Sequence, residues 1–179
     1  MTNFVDSINV TEALLQEVRH GVISPAEAES KIGEMLNSMD TARGFFVSLL
    51  TGESNYADEP PAWLCNALNG KKPVVAELLT KNLVMSTTMN ITHLRAGKAD
   101  EAAKSQKVAN RVRKVMKACM NSDLNSEIRA MLESIRHKRN NATSERLPRY
   151  VEFLSRWSYD REQLNAAETA LLDSQSTAD

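Results

Sequence analysis

Between Pro73 and Gly97 the sequence carries Val75, Leu78, Leu79, Leu83, Val84, Met85, Met89, Ile91 and Leu94, diluted mainly by Ser, Thr and Asn. On a helix from Val74 to about Arg95 or Ala96 these residues cover almost every side, and a helix that is apolar all round has to be buried. It would be on the order of 30 Å long at 1.5 Å per residue. The remainder of the chain must therefore wrap around it.

The punctuation of that remainder is of the helix-capping kind. A helix from about Ile8 to His20 stops at Gly21. Ser24-Pro25-Ala26-Glu27 supplies an N-cap, a proline at the first helical position and a glutamate three residues after the cap, so a second helix starts at Pro25. Asp40 can cap a third, Thr41 to Thr51, closed by Gly52. Glu53 to Glu59, which carries Tyr56, is polar and acidic and reads as a surface loop. A short helix from Pro61 to Asn69 follows, ended by Gly70. Gly97 separates the central helix from a basic one, about Lys98 to Met120, and Asn121-Ser122-Asp123 caps the next, Leu124 to Arg139. Lys138 to Ser144 reads as an exposed loop. A helix around Leu147 to Trp157 precedes a second capping box, Asp160 with Gln163, and a last helix to about Leu172, with the tail 174–179 frayed. No stretch alternates as a strand does. The expectation is one all-α domain over 1–179, a bundle of about seven or eight helices around the buried helix at about 74–95.

Charge is partitioned along the chain. Met1 to Leu94 holds 6 Lys/Arg against 11 Asp/Glu, Arg95 to Arg149 holds 14 against 6, and Tyr150 to Asp179 holds 2 against 6. A basic middle between acidic flanks is neutralised most simply within one fold or across a dimer. Cys65 and Cys119 belong to no paired motif and fit buried, reduced thiols. With no signal-like start and no apolar window long enough for a bilayer, the sequence points to the cytoplasm and to no membrane role.

Two sets of residues are candidate sites. Lys104, Lys107, Arg111 and Lys114 form a row of bases beside the apolar face of Val108, Val112, Val115 and Cys119. That row suits phosphates or an acidic protein face, or is simply a solvated helix side. Near-neutral charge, a pI near 6.3 and the lack of interleaved aromatics weigh against nucleic acid. The second set, Lys81, Asn82, Ser86, Asn90 and His93, interrupts the central helix. Polar groups along a buried face either line a pocket or are satisfied locally, by bonds back to helix carbonyls or between helices. The Met35/Met39 and Met85/Met89 faces have the adaptability of a binding groove, although methionine at this spacing also serves as core filler. Trp63 and Trp157 fit core positions better than interface anchors. His20, His93 and His137 show no metal-ligand spacing with each other or with the cysteines, so no metal, no cofactor and no catalytic residue is expected.

Three runs carry a family resemblance: Gly44-Phe45-Phe46-Val47-Ser48-Leu49-Leu50-Thr51-Gly52, then Glu77-Leu78-Leu79-Thr80-Lys81-Asn82-Leu83-Val84-Met85-Ser86-Thr87, then Phe153-Leu154-Ser155-Arg156-Trp157. Through them the chain resembles small all-helical cyanobacterial proteins of uncharacterised function. The resemblance implies a photosynthetic bacterial cytoplasm and no mechanism. The functional expectation is a non-catalytic interaction or regulatory protein that is a homo-oligomer or meets an acidic protein through the basic helix. Nucleic-acid binding through residues 98–120 is one alternative. A small-molecule-binding protein or enzyme with a pocket lined by the central helix is the other.

Overall fold

The structure is a computed structural model that describes residues 3–70, 72–119, 121–143 and 146–175. Nine helices follow one another among the described residues: α1 (Phe4–Arg19), α2 (Pro25–Met35), α3 (Met39–Thr51), α4 (Ala62–Asn69), α5 (Lys72–Arg95), α6 (Ala99–Ala118), α7 (Ser122–Arg139), α8 (Val151–Arg156) and α9 (Arg161–Gln175). The all-helical expectation holds. A helix stands in each region where the sequence places one, and the element expected around Leu147 to Trp157 is α8, shortened to six residues.

α5 is the hub. It packs against α6 most extensively and also touches α3, α4, α7 and α9, while α1 lies on α3 and α2 on α4. One contiguous apolar cluster runs from Leu14 in α1 to Leu171 in α9, with Phe45, Phe46, Leu49, Leu79, Leu83, Val112 and Met116 at its centre. The hub emerges from the core at its C-terminal end, where Leu94 is exposed. There Gly97, at φ +67, takes the left-handed conformation that side chains resist. The Lys98 N–H returns 2.9 Å to the His93 carbonyl and the Gly97 N–H 3.0 Å to that of Leu94, which closes the helix as a Schellman motif. This reversal lays α6 back along α5.

Several helix ends differ from expectation for local reasons. α1 starts at Phe4 rather than Ile8, because the Asn3 side chain accepts the Asp6 N–H at 2.9 Å. Its inward face includes buried Ser7 and Thr11, whose hydroxyls bond back to the Phe4 and Ser7 carbonyls and so hide from an apolar pattern. α3 is capped by Ser38, which accepts the Thr41 N–H at 3.2 Å, and Asp40 sits in the first turn. The capping boxes at Ser24/Glu27 and Asp160/Gln163 are both formed. α7 ends at Arg139 as expected, where the guanidinium reaches Glu168 of α9, although it starts at Ser122 rather than Leu124. α8 starts four residues after Leu147, beyond Pro148, because the Tyr150 N–H is taken by the Ser134 hydroxyl at 3.0 Å. Ser174 belongs to α9 and is buried, so the expected fraying cannot begin there; 176–179, like Met120 and Ser144, lie outside the described residues. Trp63 is half-buried against Tyr56, whereas Trp157 is exposed and stacks on Tyr159.

The basic middle is neutralised by its own flanks. Arg111 and Lys114 pair with Asp58, Arg149 with Glu77, Arg95 with Asp160 and Glu162, and Arg136 and Arg139 with Glu168.

Gly44 sets the spacing of α1 on α3. A Cβ there would lie 1.8 Å from Ser7 Oγ and 2.7 Å from the Phe4 carbonyl oxygen, and the latter is backbone that cannot swing aside. Gly44→Ala is therefore expected to cost about 1–3 kcal/mol through overpacking. A thermal melt checks this, with a midpoint several degrees lower expected and an unchanged midpoint contradicting the close approach.

Candidate functional site

The antiparallel course of α5 and α6 leaves a groove between them, closed at one side by the C-terminal turn of α3. Leu50 and Thr51 come from α3, Asn82, Met85, Ser86 and Met89 from α5, and Glu101, Lys104, Ser105, Lys107 and Val108 from α6; together they enclose about 440 Å³. That volume lies within the range of small-molecule sites, roughly 300–1,000 Å³. Leu50, Met85, Met89 and Val108 give it apolar walls. Two candidate sets that were separate in the sequence thus contribute to one concavity.

Neither set arrives whole. Of the polar residues on the hub helix, Asn82 and Ser86 reach the groove. The Asn82 amide donates to the Leu78 carbonyl at 2.8 Å and the Ser86 hydroxyl to that of Asn82 at 2.7 Å, so both are satisfied locally as well. Lys81 leaves on another side of α5, pairs with Glu77 at 2.5 Å and lies 5.6 Å from the centres of the Tyr150 and Phe153 rings. Asn90 donates to the Ala102 carbonyl at 2.8 Å and stitches α5 to α6. His93 is half-buried near the end of α5 and adds positive potential at Glu101.

In the row of bases, Lys104 and Lys107 line the groove and Lys114 sits 3.6 Å from Asp58. Arg111 is withdrawn from the surface altogether, at 2% exposure. Its Nε donates to Asp58 Oδ2 at 2.9 Å, its Nη1 to the carbonyls of Leu50 (3.2 Å) and Gly52 (2.7 Å), and its Nη2 to that of Ser54 (2.8 Å). The acidic 53–59 segment is therefore no free loop: Ala57 is fully buried and Asp58 faces the guanidinium. Burial alone would raise the Asp58 pKa, but the Arg111 hydrogen bond and the charges of Arg111, Lys114 and Lys107 outweigh it and hold the carboxyl below its ordinary value. The stability this pair gives is present above the ordinary carboxylate range and lost in acid.

Glu101 is the groove's acidic member and went unsinged out by sequence patterning. It pairs with Lys104 at 2.8 Å, and that hydrogen bond, Lys104's charge and those of His93 and Lys98 lower its pKa. A second polar centre, away from the groove, was equally invisible. The Tyr150 hydroxyl donates to Glu127, Arg149 bridges Glu127 and Glu77, and burial followed by the Glu127 bond pushes the phenol above its usual range. This centre lies against Lys81 and ties α8 to α5 and α7. Cys65 and Cys119 also meet in space: burial first, and then the neighbouring Cys65, raise the Cys119 thiol.

The family described as Uncharacterised conserved protein UCP020893 matches residues 3–174. The chain belongs to this family. The matched stretch takes in every helix that shapes the groove, and with it Arg111 and Asp58. No curated protein and no solved structure gives a significant match. Among the described residues no helix is long and apolar enough to cross a membrane.

Arg111 and Lys107, one helical turn apart, should behave in opposite ways. Arg111→Met leaves three carbonyls without their donor and Asp58 with Lys114 in place of the guanidinium, and is expected to cost about 3–5 kcal/mol. Lys107→Gln, on the rim, should stay within about 0.5 kcal/mol of the parent. Urea unfolding of both variants checks this, and equal small losses would contradict the buried role of Arg111.

Proposed function

We propose that this protein is a non-catalytic binding protein whose site is the α3/α5/α6 groove and whose ligand is a small molecule with a substantial apolar part. The observation that carries the reading is the convergence of Leu50, Met85, Met89 and Val108 on a concavity whose polar residues lie mainly on α6. A few polar groups beside apolar walls is the usual make-up of a small-molecule site.

Binding is favoured over catalysis by what the polar groups are doing. The Ser86 hydroxyl gives its proton to the Asn82 and Leu83 carbonyls, so it is not set up as a nucleophile next to a base. Glu101 is held ionised by Lys104, which suits a fixed charge better than a proton carrier. The protein-docking and nucleic-acid readings of the basic helix lose ground for a different reason. With Arg111 buried, Lys104 on Glu101 and Lys114 near Asp58, only Lys107 of the four bases makes no ion pair among the described residues. Too little of the row is left for a docking stripe. A regulatory role remains compatible, with the ligand as the signal. Its setting, by the resemblance set out above, is the cytoplasm of a photosynthetic bacterium.

Titration with the fluorescent amphiphile 1-anilinonaphthalene-8-sulfonate tests the site. One site per chain is expected, and Met89→Trp or Ser105→Trp, each of which fills the groove from a half-buried wall position, should weaken it about tenfold. Unchanged binding in both folded variants would contradict the proposal.

A further inference from the structure

We infer that the groove takes an amphipathic anion, a compact apolar body with one carboxylate or sulfonate head. The inference rests on the groove being a binding site and adds the chemistry of its ligand.

The charges around the groove do not balance. Glu101 is its carboxylate, and Lys104 already answers it at 2.8 Å. Lys107 stands on the same wall without an ion pair among the described residues. Asp58, a carboxylate within its electrostatic reach, is committed to Arg111 and Lys114. Around this pair the positive charge of Lys98 is offset by the negative charge of Asp100. The wall therefore carries one cationic head in excess, at the edge of the apolar surface made by Met85, Met89 and Val108.

That arrangement discriminates among ligands with the same tail. A neutral amphiphile would gain only the apolar burial. An anion adds a charge-assisted contact to Lys107, which need not be pulled from a partner. A cation would have to take Glu101 from Lys104 and would leave two ammonium groups facing it, so it is repelled. Because Lys107 is partly in water, the anion's advantage shrinks with salt.

The test uses octanoate, 1-octanol and octylamine, each competing with 1-anilinonaphthalene-8-sulfonate on the full chain at neutral pH. Octanoate is expected to bind about tenfold more tightly than octanol, and octylamine more weakly than either. Lys107→Gln should remove most of the octanoate advantage and leave octanol unchanged, whereas Lys117→Gln, on the exposed side of α6, should alter neither. Octanol matching octanoate, or Lys107→Gln leaving octanoate unaffected, would overturn the anion assignment while keeping the site. No competition from any of the three, with the dye indifferent to Met89→Trp, would overturn the site itself.

Discussion

The burial of one guanidinium organises the junction of α3, α5 and α6 in this molecule. Arg111 enters the core from α6 with donors directed to the Asp58 carboxylate and to the carbonyls of Leu50, Gly52 and Ser54. A buried charge of this kind is tolerable only when it is paired and its hydrogen bonds are satisfied. The planar fork of arginine meets that requirement where lysine, a single point of charge, would not. Its partners are the last turn of α3 and the segment that follows it. The pairing therefore fixes where α3 ends relative to α6, and so where Leu50 and Thr51 stand at the side of the groove.

The groove is a consequence of that attachment together with the reversal at Gly97. The glycine lays α6 antiparallel to α5, and the Asn90 amide holds the two together near the turn through the Ala102 carbonyl. Farther along, Arg111 draws α6 toward the end of α3. Between these two fastenings, methionines and a valine face each other across a space they do not fill. Methionine suits such a surface because its unbranched, polarizable side chain adapts to different shapes. The wall opposite the hub helix supplies the charge, and among the described residues Lys107 is the lysine of that wall without an ion pair.

Much of the fold was legible because the signals were local. The all-round apolar pattern of 74–95, the Ser24/Glu27 and Asp160/Gln163 boxes and the stop at Gly97 each depend on a few neighbouring residues, and each appears where the sequence places it. What escaped depended on partners far away in the chain. Ser7 entered no sequence pattern, because its burial depends on the close approach of α1 to α3 at Gly44. Arg111 read as a surface base because its carboxylate lies 53 residues earlier. Helical angle offered a partial hint, since Arg111 lies about 40° from Val115 around the helix axis. Lys104 is as near the valine face, however, and stays in water at 70% exposure. The helix alone does not decide between the two; the 52–58 segment does. The site was half legible in the same sense. Asn82, Ser86, Lys104 and Lys107 were singled out as members of two separate patterns, and only the hairpin of α5 and α6 brings them together.

Ligand entering between α5 and α6 must disturb both helices, whereas ligand on the outer face of the basic helix would leave α5 untouched. Amide chemical shifts recorded during an octanoate titration separate the two. Perturbations are expected at Asn82, Met85, Ser86, Met89 and the stretch from Glu101 to Val108. Perturbations centred instead on Asn110, Arg113 and Lys114, with the α5 amides unmoved, would rule out entry between the two helices.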